Sequence, residues 1–166
     1  ETAQHASLES LLFQATHDDL TGLPNRGALL QRLHELCNAE PQAAFALLLL
    51  DVDRFKLFNE AHGHSVGDEV LKTLARGLVE AVGSRAEVLR LGEDEFALLA
   101  VDAQPEAAAR HIAELVRDFI GRPLESARQR LFVDLSIGVG LHPQTAREPD
   151  ALLRAANAAL HEAKRT

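Results

Sequence analysis

Apolar positions along this chain fall into stretches of helical and strand-like spacing. Leu8, Leu11, Leu12 and Ala15 make one helical stripe, so residues 1–17 read as a helix, the end of a longer connecting helix. A turn cluster with Gly22, Pro24 and Asn25 follows. Asn25 is a good N-cap for a second helix that turns Leu29, Leu30, Leu33 and Leu36 inward. Ala43 to Leu50 is a continuous apolar run, which predicts a strand covered on both faces and ending at Asp51-Val52-Asp53. A short helix over Phe55–Ala61, a loop over His62–Asp68 and a longer helix over 67–82 come next. The longer helix carries Val70, Leu71, Leu74 and Leu78 on its inner face. Val88–Leu91 and Glu95–Val101 form a hairpin around Gly92. Asp102 and Pro105 open a helix whose stripe is Ala108, Ile112, Leu115, Val116 and Phe119. Leu131–Gly140 reads mostly as strand, with Phe132, Val133, Leu135, Ile137 and Val139 as its apolar positions. The last helix runs from Pro149 or Asp150 to about Lys164. From Asn25 onward the order is α-β-α-α-β-β-α-β-α. Hairpins rather than crossovers dominate, so the expected class is α/β of the α+β kind, with a mainly antiparallel central sheet flanked by helices.

Length and composition fit this picture. A chain of 166 residues with 46% hydrophobic and 25% charged residues matches one globular domain with a sizeable core. No apolar run reaches the ~18 residues of a membrane span and no signal-peptide pattern opens the chain, so a cytoplasmic setting is expected. The formal net charge of -8 argues against a general DNA or RNA surface, which needs a basic patch. It leaves room for a nucleotide held by metal and backbone amides. The single cysteine, Cys37, is expected as a small buried residue.

Two acidic pairs carry the candidate chemistry. Asp51 and Asp53 leave the strongest strand and alternation sends them to one side, with the Val52 carbonyl between them. An isolated Asp-x-Asp is equally a solvated strand end with an Asx-turn. Asp94 and Glu95 sit in the tight hairpin. If the strands 43–51 and 95–101 are neighbours, both pairs meet at one sheet edge, and repulsion there calls for a divalent cation carrying a phosphate. His62 and His64 are two apart with no third ligand near in sequence, so a loop role is favoured over a metal role.

These segments together resemble the GGDEF family of diguanylate cyclase domains. Asp19-Leu20-Thr21-Gly22-Leu23-Pro24-Asn25-Arg26 is similar to the family's opening DxLTGLxNR. Asp51 to Asn59 is similar to DxDxFKxxN, and Gly63 to Asp68 to GHxxGD. Arg90-Leu91-Gly92-Glu93-Asp94-Glu95-Phe96 is similar to RxGGDEF except at Glu93, so the motif reads GEDEF. Ser136-Ile137-Gly138-Val139 and Ala159 to Lys164 resemble the SIGV and ALYxAK blocks. The resemblance covers nearly the whole chain in order. It implies that residues 1–17 end a connecting helix and that 18–166 form the domain, with a palm-like nucleotide-cyclase fold.

The resemblance also implies ligands and roles. Members make cyclic di-GMP from two GTP molecules. Asp51, the Val52 carbonyl and Asp94 would hold Mg2+ over the triphosphate, supported by Glu95. Backbone amides near Arg54 and Phe55, with Lys56 and Lys164, would hold phosphates. Gly92 would line the nucleotide, and Asn59 and Asp68 would read guanine. Chemically, Asp accepts from N1–H and N2–H of guanine, and Asn offers a donor and an acceptor.

Departures from the family pattern bear on activity. Glu93 replaces a glycine where backbone and nucleotide approach closely. If that turn position needs φ > 0, the cost for Glu is about 1–2 kcal/mol. A carboxylate ~5 Å from a phosphate charge costs on the order of 3 kcal/mol at an effective dielectric of 20. Glu60, Asn157 and His161 stand where the family often has Asp, Asp and Tyr. The product-inhibition motif RxxD would fall at Gly83 and Ala86 and is absent. The leading expectation is a GTP- and magnesium-binding domain with impaired cyclase activity. It would serve as the regulatory part of a larger protein that carries an EAL phosphodiesterase or a sensory domain. The alternatives are an active diguanylate cyclase working as a homodimer and a protein-interaction module with an empty pocket.

Overall fold

The computed structural model describes residues 2–165, with side chains from Leu8 onward. Helix α1 spans Thr2–Thr16 and α2 spans Arg26–Cys37. Asn25 caps α2 as its sequence position predicts: its side chain accepts from the Ala28 N–H at 3.1 Å. Strand β1 (Phe45–Val52) leads to α3 (Phe55–His62) and α4 (His64–Val82). A 3-10 turn at Gly83–Arg85 precedes β2 (Glu87–Arg90) and β3 (Glu95–Val101). Helix α5 (Pro105–Ile120), a small hairpin of β4 (Leu124–Ser126) and β5 (Gln129–Leu131), β6 (Leu135–His142) and α6 (Pro149–Arg165) complete the chain. The large sheet has the order β2-β3-β1-β6, and every pairing in it is antiparallel.

Alternation along β1 builds two cores. Ala46, Leu48, Leu50 and Val52 pack with Phe96, Leu98 and the inner faces of α4 and α5. Phe45, Leu47 and Leu49 pack with Ala97, Leu99, α2 and α6 on the other face. This is why β1 reads as a continuous apolar run: both of its faces are covered. By the same parity, Asp51 and Glu95 point to the α2/α6 side, beyond the last leucine. Helix α6 lies directly on β6. A Cβ built on Gly138 would fall 2.3 Å from the Ala156 carbonyl oxygen, so only glycine admits that approach.

Several expectations need correction. The segment His62–Asp68 is not a loop; Gly63 alone, at φ 88, separates α3 from α4. Its positive φ breaks one helix and starts the next. Leu131–Gly140 is not one strand: residues 132–134 leave the sheet, and Phe132 is 76% exposed. The β4–β5 hairpin was not expected. It turns through Ala127 (φ 51) and Arg128 (φ 63), which carry no Gly, Asn or Asp signal for a left-handed turn. On α1, Leu8, Leu11, Leu12 and Phe13 are exposed. Cys37 is half-buried, and burial followed by the Glu148 charge pushes its thiol pKa up, so it is a poor nucleophile. Among the described residues no helix is long and apolar enough to cross a membrane.

Candidate functional site

The end of β1, the start of α3, the β2–β3 hairpin and the last turn of α6 meet at one end of the large sheet. The register sets Asp51 opposite Glu95 on β3 and opposite Ser136 on β6. Like charges directly opposite on two strands repel. Asp94 joins them because its carbonyl accepts from the Val52 N–H at 2.9 Å. Burial first, then hydrogen bonding and charge from Asp51, push the Asp94 pKa up to about 6. The two carboxyls can hydrogen-bond only by sharing a proton; with both ionised, the buried Asp51 Oδ1 has no partner. Asp51 Oδ2 takes Lys164 Nζ at 2.7 Å. Burial works against the Lys164 charge, but Asp51, then Asp53 and Asp94, outweigh it and hold its pKa above the ordinary value.

A buried carboxylate oxygen without a partner, beside a second carboxylate, fits a hard divalent cation. Asp51, Asp94 and the Val52 carbonyl are the groups that could hold it. Magnesium takes one or two carboxylates and completes its shell with water and phosphate. Among the described residues no group of three or more His, Cys, Asp or Glu side chains gathers as a cage, so an ion held here would take the rest of its shell from outside the protein side chains. Asp53 is taken up elsewhere, accepting from Ser136 Oγ at 2.7 Å. The His62 ring lies tilted against Phe58, 4.4 Å between centroids, and His64 begins α4.

Arg54 sets the entry to α3. It adopts the left-handed conformation, φ 59 and ψ 27, and no side chain caps the helix. Such a backbone costs a non-glycine residue about 1–2 kcal/mol. It leaves the first-turn amides of Phe55 and Lys56 uncapped by any side chain, as an anion site requires. A cleft of about 720 Å³ opens here, lined by Val52, Arg54, Phe55, Lys164 and the exposed Phe132 among others. Asp51, Asp94, Asn59 and Asp68 do not line it. Lys56 and Asp68 are exposed, on α3 and α4.

The hairpin differs from expectation. Neither Gly92 nor Glu93 has a positive φ, so the supposed strain at Glu93 is absent. The turn runs in ordinary backbone conformations that any residue can adopt. Instead, the Glu93 side chain reaches α3, where Oε1 accepts from Asn59 Nδ2 at 3.0 Å. Arg90 anchors the same residue, donating through Nη2 to the Glu93 carbonyl at 2.9 Å. Behind Gly92 the main chain packs on Glu95, whose Oε1 would lie 3.3 Å from a Cβ at 92.

One positioning residue escaped the sequence reading. Asp18, not Asp19, is the working carboxylate of the opening motif. It accepts from the Thr21 N–H and hydroxyl and, at 3.0 and 2.9 Å through its two oxygens, from Arg90 Nη1. Asp19 is exposed. Burial would raise the Asp18 pKa, but hydrogen bonds from Thr21 and Arg90 together outweigh it and hold the carboxyl below its ordinary value. The signal lay in the spacing: DxLTGL counted back from Leu20 begins at Asp18.

Comparison with known proteins places the fold and the family. The family described as "Diguanylate cyclase, GGDEF domain" matches residues 15–166. The bifunctional diguanylate cyclase/cyclic di-GMP phosphodiesterase MucR of Pseudomonas aeruginosa is 36% identical over 93% of this chain, and the match covers 23% of MucR. The diguanylate cyclase TpbB of P. aeruginosa is 38% identical over 94% of this chain and 37% of its own length. The chain thus spans well under half of these relatives. The solved GGDEF domain of TpbB superimposes with a TM-score of 0.83 at 36% identity, covering 90% of this chain and 88% of that one. The coiled coil and GGDEF domain of DgcB from Caulobacter crescentus, solved with c-di-GMP, gives a TM-score of 0.85 at 26% identity, covering 99% and 88%. On the matched profile, the palm-like fold and these relatives, the chain belongs to the diguanylate cyclase GGDEF domain family.

Proposed function

We propose that this domain binds GTP with magnesium in a cytoplasmic setting and that its cyclase activity is impaired, leaving a regulatory nucleotide-binding domain. The observation that carries the ligand reading is the Asp51–Asp94 pair: a buried carboxylate oxygen without a partner beside a carboxyl pushed up to about 6. Bound magnesium would supply charge neutralisation at the triphosphate. Asp51, Asp94 and the Val52 carbonyl would hold it, with Glu95 supporting. The amides of Phe55 and Lys56 would receive phosphate oxygens, and Lys164 would turn from Asp51 towards them. Arg54 sets the helix start, and Gly92 keeps the hairpin backbone open to the nucleotide. Asn59 and Asp68 would read guanine edges. MucR, whose name joins a cyclase to a phosphodiesterase, supports a linked EAL partner in the longer protein. The exposed Leu8, Leu11 and Leu12 on α1 would be available to a pairing helix in a homodimer.

A working cyclase is the second reading. It is favoured by the ordinary backbone at Glu93, which removes the strain argument against activity. Calorimetry with GTP, ATP and EDTA tests the ligand. GTP preferred over ATP, with binding lost in EDTA, is expected; equal affinity for both nucleotides would sink it. Chromatography of GTP incubations at high protein concentration tests the activity. Little or no cyclic di-GMP from the wild type and partial recovery with Glu93→Gly are expected; robust product from the wild type favours the working cyclase.

A further inference from the structure

We propose that Glu93 is a tethered competitor for Asn59, a carboxylate that occupies the donor face on which an incoming base must be read. The inference rests on the nucleotide reading above and adds how this chain controls it.

Both ends of the contact are held. On the hairpin, Arg90 grips the Glu93 carbonyl at 2.9 Å and is itself clamped by Asp18 at 3.0 and 2.9 Å. The Glu93 side chain is thereby presented to α3 from a fixed backbone. On α3, the Asn59 amide is wedged against Gly67: a Cβ at 67 would lie 1.8 Å from Asn59 Oδ1. That oxygen is buried and has no hydrogen-bond partner. Its burial leaves Nδ2 as the group Asn59 offers outward, and Nδ2 already donates to Glu93 Oε1 at 3.0 Å.

A pair between two free surface side chains contributes little, because ordering both is costly. Here the backbone anchor and the wedge have already restricted them, and the acceptor is ionised. A base edge that needs the Asn59 amide must displace the carboxylate or share the donor with it. Either way, base recognition is weakened relative to a chain with glycine at 93. The effect acts on the base and not on the phosphates, which distinguishes it from simple charge repulsion.

The test measures dissociation constants of Mg·GTP and Mg·tripolyphosphate for the wild type, Glu93→Ala and Glu93→Gln. Glu93 is exposed, so the variants keep the fold. Glu93→Ala is expected to tighten Mg·GTP by about three- to tenfold, the worth of one net hydrogen bond, and to leave Mg·tripolyphosphate unchanged. Glu93→Gln retains an acceptor for Asn59 and is expected to gain less than Glu93→Ala. Tightening of both ligands by the same factor would overturn the inference in favour of charge repulsion. So would unchanged GTP affinity in Glu93→Ala while the wild type binds GTP. Absence of GTP binding in the wild type and in Glu93→Ala overturns the nucleotide reading itself, and this inference falls with it.

Discussion

Asp51 and Glu95 stand directly opposite each other on β1 and β3, both on the face of the sheet that meets α6. Asp94 adds a third carboxyl, and Lys164 Nζ lies 2.7 Å from Asp51 Oδ2 as a cation facing them. The Lys164 and Asp51 side chains are 33% and 16% exposed, so their pair adds only modest stability. Repulsion within the carboxyl group then decides what mutation does.

Asp51→Asn should therefore separate metal binding from folding. One charge leaves a crowded site, and the Lys164 pair is lost. The metal-free melting temperature should stay within a few degrees of the wild type, or rise. The wild type should gain stability with magnesium and GTP by mass action, and the variant should gain little. Thermal melts with and without both ligands measure this. A variant that melts far lower in EDTA would show that Asp51 is a structural turn residue and that the site is misplaced.

Asp94 gives the metal-free domain a pH dependence of known sign. Its folded pKa is about 6 against an ordinary value of 3.8, so the folded state binds the extra proton. The stability this group provides is fully present below about 4 and is lost as pH rises through about 6. Magnesium must displace that proton, so its affinity should rise from pH 5 to pH 7. Melts in EDTA across this range, compared with Asp94→Asn, isolate the contribution. An identical pH slope in the two proteins would mean that Asp94 does not titrate there.

Much of this fold was legible because β1 and its neighbours obey simple rules. The run from Ala43 to Leu50 is short, continuous and stopped by Asp51, which suits a strand buried on both sides, and Asn25 caps where its type predicts. The carboxyl cluster followed from placing two strand ends together. What the sequence hid was set by tertiary contact. The β4–β5 turn uses Ala127 and Arg128 at positive φ, held by packing and by the Thr73–Ser126 hydroxyl bond of 3.0 Å. The Glu93–Asn59 bond joins residues far apart in sequence, which no local pattern encodes. Asp18 is a different case: the DxLTGL spacing singles it out from Asp19 in the sequence itself, and the structure adds only its partners Thr21 and Arg90.

The Asp18–Arg90 pair should prove a main brace of the hairpin. Their side chains are 21% and 11% exposed, and Arg90 also holds the Glu93 carbonyl. Removing one partner of a largely buried, hydrogen-bonded pair costs about 2–4 kcal/mol after allowance for partial exposure. Asp18→Asn and Arg90→Ala should both lose stability on that scale at pH 7, and the double variant should lose less than their sum. The Asp18 pKa is depressed, so its contribution is present above the unfolded value and vanishes as pH falls through the folded one. The gap between wild type and Asp18→Asn should therefore close in acid. Denaturant melts at pH 7 and in acid test this; strictly additive losses would mean that the two residues act independently.

Two glycines should respond to alanine to different extents. At Gly138 a Cβ meets helix backbone, the Ala156 carbonyl oxygen at 2.3 Å and the Leu160 nitrogen at 2.4 Å. Neither atom can move without lifting α6 from β6, so Gly138→Ala should destabilise by about 3 kcal/mol or more. At Gly67 a Cβ meets side chains only, Asn59 Oδ1 at 1.8 Å, Asn59 Cγ at 3.0 Å and Phe55 Cζ at 3.3 Å; the Asn59 side chain can shift, whereas the buried Phe55 ring can give only slightly. Alanine also favours the interior of α4 by about 0.5–1 kcal/mol over glycine. Gly67→Ala should thus cost clearly less stability than Gly138→Ala. It should still weaken GTP binding, because Asn59 can no longer be wedged in place, while Mg·tripolyphosphate binding is unaffected. Melting curves and titrations with both ligands read the two effects separately. A Gly67→Ala protein that binds GTP as the wild type does would remove Asn59 from base recognition.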